Sequence, residues 1–256
     1  MKPAVATPMG RPDVPGVWRL TLMQPPDGYR FALDAFLLAD FASPPGSEPV
    51  IEFGVGCGVI TLLLARRFPR AHFVGVELQP ELARAAGHNV VQNGLSGQVD
   101  ILLADICDLP ALFVPGAFGA VIGNPPYRPV GRGRLNPNPA KAVARHEVAV
   151  TLSQWLDAAR HGLKPRGGLT LVYHPSRLAE LCAGLDRGGL RPRRMRLVHP
   201  KPGAPASMIL VEAVKGGRDA LTVLAPLMIC DLSGAYSPEM QAIFQGRSLQ
   251  TRGDTA

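Results

Sequence analysis

Three carboxylates and three glycines fall in an order that suits a nucleotide-like ligand. Glu52-Phe53-Gly54-Val55-Gly56-Cys57-Gly58 ends the apolar run VIEF (50–53) and leads straight into helix-like VITLLLARRF (59–68). Glycines at such a turn let the backbone bend tightly and bring its amides close to a ligand at the helix N-terminus. The spacing is GxGxG, and Val59 stands where a dinucleotide fingerprint has its third glycine, which weighs against NAD or FAD. Glu77, 23 residues after Gly54 at the end of the next strand-like run, can accept both hydrogen bonds of a ribose diol. Asp105 closes a third strand and can contact an adenine edge. Gly-rich turns between strand and helix are common, so the glycines alone decide little; the ordered set Glu52, three glycines, Glu77, Asp105 is specific.

That set resembles the S-adenosylmethionine-dependent methyltransferases with a Rossmann-like fold, over roughly residues 28–214. The resemblance implies that the glycine loop (Gly54, Gly56, Gly58, with Glu52) faces the methionine part of the cofactor, Glu77 its ribose and Asp105 its adenine, with S-adenosylhomocysteine as product. At the end of the fourth strand-like run stands Asn124-Pro125-Pro126-Tyr127. Methylating an exocyclic amine is hard because its lone pair is delocalised. Acceptors that hold its two hydrogens favour a pyramidal nitrogen whose lone pair points at the methyl group. The Asn124 side-chain oxygen and the Pro125 carbonyl can be those acceptors, while Pro125 and Pro126 restrict the backbone that carries them. Tyr127 can stack on the flat group that bears the nitrogen. Catalysis is then alignment plus electrostatic support, with neither a covalent enzyme intermediate nor a metal.

NPPY narrows the resemblance to amino-group methyltransferases, which act on adenine N6, guanine N2, cytosine N4 or a glutamine amide. The string Gln24-Pro25-Pro26-Asp27-Gly28-Tyr29-Arg30-Phe31-Ala32-Leu33-Asp34-Ala35-Phe36-Leu37-Leu38-Ala39 resembles the opening of the bacterial tRNA adenine-N6 methyltransferases, which modify the adenine beside the anticodon of a valine tRNA. Ala144-Arg145-His146-Glu147 and HPKPGAPASMILVEAVKGG (199–217) are similar to that family too. In it the N-terminal segment closes over the cofactor site, which implies that Asp34 holds the cofactor's polar end, as Asn124 borders it, and that Tyr29 and Arg30 shape the lid. Two residues set this chain apart. Arg128 follows NPPY where relatives often carry an aromatic side chain, so stacking or phosphate binding by Arg replaces a second ring. His146 is read as a substrate-loop or capping residue, because the amine proton can leave to water after methyl transfer.

These residues need elements that hold them along one edge of a sheet. A helix over 32–41 is ended by Ser43-Pro44-Pro45-Gly46. Strand-like 50–53, 72–78, about 99–104 and 119–123 alternate with helix-like 59–68 and 80 to about 93. That order predicts an α/β fold: a Rossmann-like, mostly parallel central sheet with helices on both faces. Beyond the loop 128–144, an amphipathic helix is expected over 146–163, a strand at 168–173, a helix from about 175 to 185, strands at 195–199 and 207–214, and an added strand or loop at 221–230. Ser237 reads as an N-cap with Pro238 at the first helical position. Residues 1–17, rich in Pro and Gly, read as a loose lead-in. The organisation expected is a lead-in over 1–27, one methyltransferase domain over 28–246 and a frayed tail over 247–256.

The 27 Lys and Arg against 20 Asp and Glu give a formal charge of +7. Five of the basic residues (Arg128, Arg132, Arg134, Lys141, Arg145) lie in 128–146, and six (Arg187, Arg191, Arg193, Arg194, Arg196, Lys201) in 187–201, with no Asp or Glu in either stretch. Without these eleven the rest of the chain is mildly acidic, so the excess points to a polyanion met locally. The first segment leaves NPPY directly and borders the place where a target base would be flipped out, which favours RNA over a small metabolite. For the second, RNA contact and plain solvated surface are equally balanced.

At 46% hydrophobic residues the chain can bury a full core. Its apolar runs fall far short of the roughly 18 residues of a membrane span, and Pro at 3, 8, 12 and 15 breaks any signal-peptide core. Cys57, Cys107, Cys182 and Cys230 form no CxxC or Cys/His cluster, so reduced thiols and no zinc are expected. The reading is a cytoplasmic, monomeric enzyme acting on tRNA. The alternatives are a protein-glutamine methyltransferase of release factors, a guanine-N2 rRNA enzyme, and a noncatalytic cofactor- or RNA-binding module. The glutamine enzyme usually carries a helical N-terminal domain, where about thirty residues precede the first helix here; the guanine-N2 enzyme commonly duplicates its domain, and this chain has no repeat.

Overall fold

A computed structural model of the chain describes residues 6–9, 20–23, 33–125 and 150–247. Tyr29, Arg30, Pro126, Tyr127, Arg128, Arg132, Arg134, Lys141, Arg145 and His146 lie outside the described residues. In chain order, β1 (Ala6–Met9) and β2 (Leu20–Met23) precede α1 (Leu33–Phe41), β3 (Val50–Phe53), α2 (Val59–Arg67), β4 (Phe73–Glu77) and α3 (Pro80–Gln92). Then follow β5 (Val99–Leu103), a 3-10 turn at Ile106–Asp108, α4 (Leu109–Leu112) and β6 (Phe118–Gly123). The C-terminal part holds α5 (Leu152–Gly162), β7 (Leu163–Tyr173), α6 (Leu178–Arg187), β8 (Leu190–His199), β9 (Met208–Lys215), the short β10 (Thr222–Val223) and β11 (Leu227–Met228), and α7 (Pro238–Phe244).

The main sheet runs β10-β8-β9-β7-β6-β3-β4-β5, with β11 beside β8. Its strands are parallel except β9, which is antiparallel to both β7 and β8. Parallel strands need crossovers, and the helices that make them cover both faces, which is why β6 reads as an apolar run, β3 as one interrupted only by Glu52, and both are buried at every position. Side chains alternate between the faces. Val50 packs with Leu37, Leu38, Leu62 and Leu63 of α1 and α2, whereas Ile51 and Phe53 join Trp155, Leu156, Leu181 and Leu185 of α5 and α6.

Close approach shapes the end of β6. A Cβ on Gly123 would lie 2.9 Å from both the Phe53 carbonyl oxygen and the Trp155 ring, and Trp155 meets Phe53 edge-on at 5.2 Å between centroids. Only a glycine leaves room for that ring, and the next residue is Asn124.

Three expectations need correction. The lead-in contains a strand, since Ala6–Met9 pairs antiparallel with Leu20–Met23. The helix expected over 146–163 begins at Leu152 because Thr151 caps it, exchanging hydrogen bonds with Gln154, and Leu163 already belongs to β7. β8 starts five residues before 195, because Leu190, Arg191 and Pro192 already pair with Lys215, Val214 and Ala213 of β9. The N-cap at Ser237 is as expected, its hydroxyl accepting the Met240 amide at 3.1 Å.

The strand β2 is held in an unusual way. The Asn89 amide accepts the Met23 N–H at 2.6 Å and donates to the Met23 carbonyl at 2.9 Å. One helical turn on, Asn93 does the same for Thr21, at 3.0 and 2.8 Å. Two side-chain amides, one on α3 and one at its C-cap, thus act as a neighbouring strand for β2. Asn89 Nδ2 also reaches the Cys57 carbonyl of the glycine loop at 2.8 Å, so one buried side chain joins that loop to β2.

Candidate active site

The glycine loop lies at the carboxyl edge of β3, the edge where open α/β sheets bind ligands. Gly54, Gly56 and Gly58 have φ of 70°, 58° and 92°, left-handed conformations that side chains rarely tolerate. A Cβ placed on Gly54 or Gly56 would meet nothing within 4 Å, so both face open space, whereas Gly58 is packed against Ala86 at 3.5 Å. The first two therefore bound a cradle, and the third allows α2 and α3 to pack.

Glu77 closes the cradle on the side of β4. It is 5% exposed, and each carboxylate oxygen takes one backbone amide: Oε2 that of Gly56 and Oε1 that of Gln79, both at 2.9 Å. Those bonds fix the carboxylate while leaving each oxygen a lone pair for a ligand hydroxyl. Asp105 follows β5, is half-buried, and spends Oδ1 on the Cys107 amide at 2.8 Å. Between Glu77 and Asp105 stand two leucines that the sequence did not single out, Leu78 and Leu103, exposed by 39% and 54% at the ends of β4 and β5. The available signal was a Leu at the end of each of these two strands, next to Glu77 and two residues before Asp105; such a pair can cover the faces of a flat ring.

Glu52 departs from its expected role. It is 2% exposed and its carboxyl accepts the Thr61 hydroxyl of α2, so it braces strand to helix behind the loop and does not border the cradle. Burial pushes its pKa up to about 8, with the nearby Glu77 charge adding to the rise, so the group is mostly protonated at neutral pH. Burial likewise pushes the Cys57 thiol up to about 11, which leaves it an inert thiol in the loop.

Asn124 stands one residue beyond β6. Its Nδ2 donates to Asp34 Oδ2 at 2.8 Å, while its Oδ1 is buried with no hydrogen-bond partner among the described residues. A carboxylate only accepts, so the contact settles which end of the amide is which. Asp34 sits in the first turn of α1, with Oδ1 accepting the Ala35 amide at 2.9 Å. The far end of α1 is capped by two guanidinium groups: Arg67 donates to the carbonyls of Ala39, Asp40 and Ala42, and Arg194 to that of Phe41. Asp34, expected to hold the cofactor, is therefore also the group that orients Asn124. Together with Val172, Tyr173, His174, Ser207 and Met208, these two line a small cleft of about 50 Å³, well below the roughly 300 Å³ lower end of small-ligand sites.

The structure thus brings Gly54, Gly56, Glu77, Asp34, Asn124 and Pro125 to one edge of the sheet. It takes most of the second basic segment away from it. Arg191 pairs with Asp186, Arg193 and Arg194 share Glu212, and Arg196, 7% exposed, makes a two-pronged pair with Glu239 of α7. Among the described residues no group of three or more His, Cys, Asp or Glu could hold a metal, and no helix is long and apolar enough to cross a membrane.

Comparison with known proteins agrees with this arrangement. Residues 50–127 match a family described as a methyltransferase domain. The tRNA1(Val) (adenine(37)-N6)-methyltransferase of Porphyromonas gingivalis is 31% identical over 82% of this chain and 85% of its own length. The Photobacterium profundum protein of the same name is 27% identical over 84% and 90%. The crystal structure of a predicted O-methyltransferase from Agrobacterium tumefaciens superposes with a TM-score of 0.67 at 27% identity, covering 84% of this chain and 97% of that one. A geranyl diphosphate methyltransferase in complex with S-adenosylmethionine, 15% identical over 71% of this chain and 84% of its own with a TM-score of 0.55, shares the fold.

Proposed function

The chain belongs to the family of the tRNA1(Val) (adenine(37)-N6)-methyltransferases, and from that premise we propose that it transfers a methyl group from S-adenosylmethionine to N6 of an adenine in tRNA, the adenine at position 37 of a valine tRNA. When bound, the cofactor supplies an electrophilic methyl group on a sulfonium. The open cradle over Gly54 and Gly56 and the fixed Glu77 carboxylate suit its polar end and its ribose, and Leu78, Leu103 and Asp105 suit its adenine.

The observation that carries the amine reading is the buried Asn124 Oδ1, which has no hydrogen-bond partner among the described residues, in a cleft that Asp34 also lines. A buried acceptor without a donor costs on the order of 1–3 kcal/mol, and an amine hydrogen removes that cost when the substrate arrives. With one hydrogen held by Asn124 and a second by the Pro125 carbonyl, the nitrogen lone pair is turned out of the ring system. The amide oxygen accepts a hydrogen bond but takes no proton. That suits an amine, which sheds its proton to water after the new C–N bond has formed. It suits a hydroxyl poorly, since oxygen must lose its proton as it attacks. Asp34 adds a carboxylate beside this point, which favours the positive charge that nitrogen gains. Tyr127 and the basic residues Arg128, Arg132, Arg134, Lys141 and Arg145 take the base face and the RNA backbone in this reading.

The test is incubation of the protein and S-adenosylmethionine with bulk tRNA, rRNA and a release factor, followed by mapping of the methyl group by mass spectrometry. N6-methyladenine in tRNA is the expected product. Label on a release-factor glutamine alone, or on rRNA guanine, would reassign the substrate.

A further inference from the structure

With tRNA as the substrate, the side of the cleft formed by β7 and the start of β9 is a place where it can be gripped. β8 is parallel to β7 and β6, because both β7 and β8 pair antiparallel with β9. Its last residue, His199, therefore lies at the same edge as Asn124, and the turn from Pro200 to Ser207 projects beyond that edge. The register places it closely: Ile209 pairs with Tyr173, so Met208 and Ser207 run past the end of β7 and line the cleft with Asn124.

This turn is stiff. His199 Nδ1 donates to the Ala204 carbonyl at 2.7 Å, the Ala204 amide to Lys201 at 3.1 Å, and the Ser207 amide to Val198 at 2.8 Å. Pro200, Pro202 and Pro205 restrict φ within it. From behind, β11 pairs with Val198 and His199, and the Cys230 amide reaches the Pro200 carbonyl at 2.9 Å. Its tip is exposed and carries one charge, Lys201, which has no acidic partner among the described residues. Four of the five arginines of the same basic segment are ion-paired, and the fifth, Arg187, ends α6 at the opposite edge of the sheet. Ser207 Oγ has only a 3.5 Å contact to the Val198 carbonyl, at the outer limit of a hydrogen bond.

We infer that the turn 200–207 is a preformed RNA-binding wall, in which Lys201 takes a backbone phosphate beside the flipped adenine and Ser207 donates its hydroxyl to a ring nitrogen of that base. A wall ordered before binding spares the entropy of ordering it on contact, and a lone lysine on a stiff tip meets a phosphate as a point charge. Adenine suits the cleft because its amine is flanked by two acceptors, N1 and N7, and the cleft then offers an acceptor at Asn124 and a donor at Ser207.

The inference rests on tRNA being the substrate, and steady-state methylation of tRNA at several salt concentrations tests it. Lys201→Ala is expected to raise the tRNA KM several-fold and to lower the slope of log KM against log salt by about 0.7–0.9, the loss of one phosphate contact. The cofactor KM should be unchanged, and Arg187→Ala should change neither quantity. Ser207→Ala should lower kcat/KM about 5- to 10-fold, one uncharged hydrogen bond. On tRNA carrying 1-deaza- or 7-deazaadenine at the target, wild type should lose the same factor with one analogue, and Ser207→Ala should lose nothing further with it. An unchanged salt slope in Lys201→Ala, or losses for Ser207→Ala that multiply with both analogues, would overturn the inference while tRNA methylation by wild type stands. Absence of any tRNA methylation by wild type would instead overturn the substrate assignment.

Discussion

Asn124 and Asp34, ninety residues apart in the chain, are joined by a 2.8 Å hydrogen bond that leaves the other end of the asparagine amide facing the cleft. The carboxylate does two things at once. It sets the amide's orientation, and it puts negative charge next to a nitrogen that becomes positive. Removing either partner should have distinguishable effects.

Asn124→Ala should lower kcat at least about 10²-fold, the scale of losing one preorganised transition-state contact, while the cofactor dissociation constant stays close to that of wild type. Asp34→Ala should cost less in kcat, because the asparagine remains but its amide is free to turn over. Asp34→Asn, which keeps an acceptor, should fall between Asp34→Ala and wild type. Single-turnover rates with parallel calorimetry separate the two quantities, and an equal loss of both in Asn124→Ala would make binding its main role.

Glu77→Ala should weaken cofactor binding by about 10- to 100-fold, since hydrogen bonds to charged groups are each worth roughly 1.5–3 kcal/mol. The substitution removes the expected ribose contact and also frees the amides of Gly56 and Gln79 that the carboxylate now holds. Titration calorimetry with S-adenosylhomocysteine reads the effect directly. Unchanged affinity would show that the cradle forms and binds without it.

Glu52 makes stability depend on pH in an uncommon direction. Its carboxyl, ordinarily near 4.5, is pushed up to about 8 in the fold by burial, so the folded state binds a proton that the unfolded chain releases. The favourable contribution is complete below the ordinary value and is lost as pH rises from about 4.5 through about 8. Urea unfolding of the ligand-free protein should show stability falling over this window by an amount on the order of a few kcal/mol. Glu52→Gln should flatten that dependence, and a slope that persists in the variant would point to another group.

Asn89→Ala should destabilise the protein by about 2–3 kcal/mol, three hydrogen bonds of a buried side chain at roughly 1 kcal/mol each. Amide hydrogen exchange at Thr21 and Met23 should speed up, and the cofactor KM should rise because the Cys57 carbonyl loses its tether. Asn93→Ala, which touches β2 but not the glycine loop, should reproduce the exchange effect without the change in KM.

What could be read from the chain itself divides along a physical line. The positions of the glycine loop, Glu77, Asp105 and Asn124 were legible because each lies at the end of a strand or within two residues of it, and the end of a parallel strand faces the ligand edge whatever the rest of the fold does. The direction of the Glu52 side chain was not, since alternation along a four-residue strand is masked when both faces are buried. The Asn124–Asp34 contact depends on how α1 is docked, and that docking is fixed by Arg67 and Arg194 from two distant elements. Nor could six clustered basic residues reveal that four of them meet Asp186, Glu212 and Glu239, because the partners of β8 come from α6, β9 and α7. Asn89 and Asn93 look like ordinary polar positions on a helix. Only the approach of β2 gives their four-residue spacing a meaning.

The reversal of β9 has a consequence for how this family of surfaces can change. Where neighbouring strands are parallel, every connection at the reactive edge must go on to a helix, so altering its length disturbs the packing of that helix. A hairpin is different: β8 and β9 keep their register whatever stands between His199 and Met208. Residues could be inserted or exchanged there with the cofactor cradle and Asn124 left in place, so the same catalytic edge can be refitted to a differently shaped RNA stem by editing one short segment.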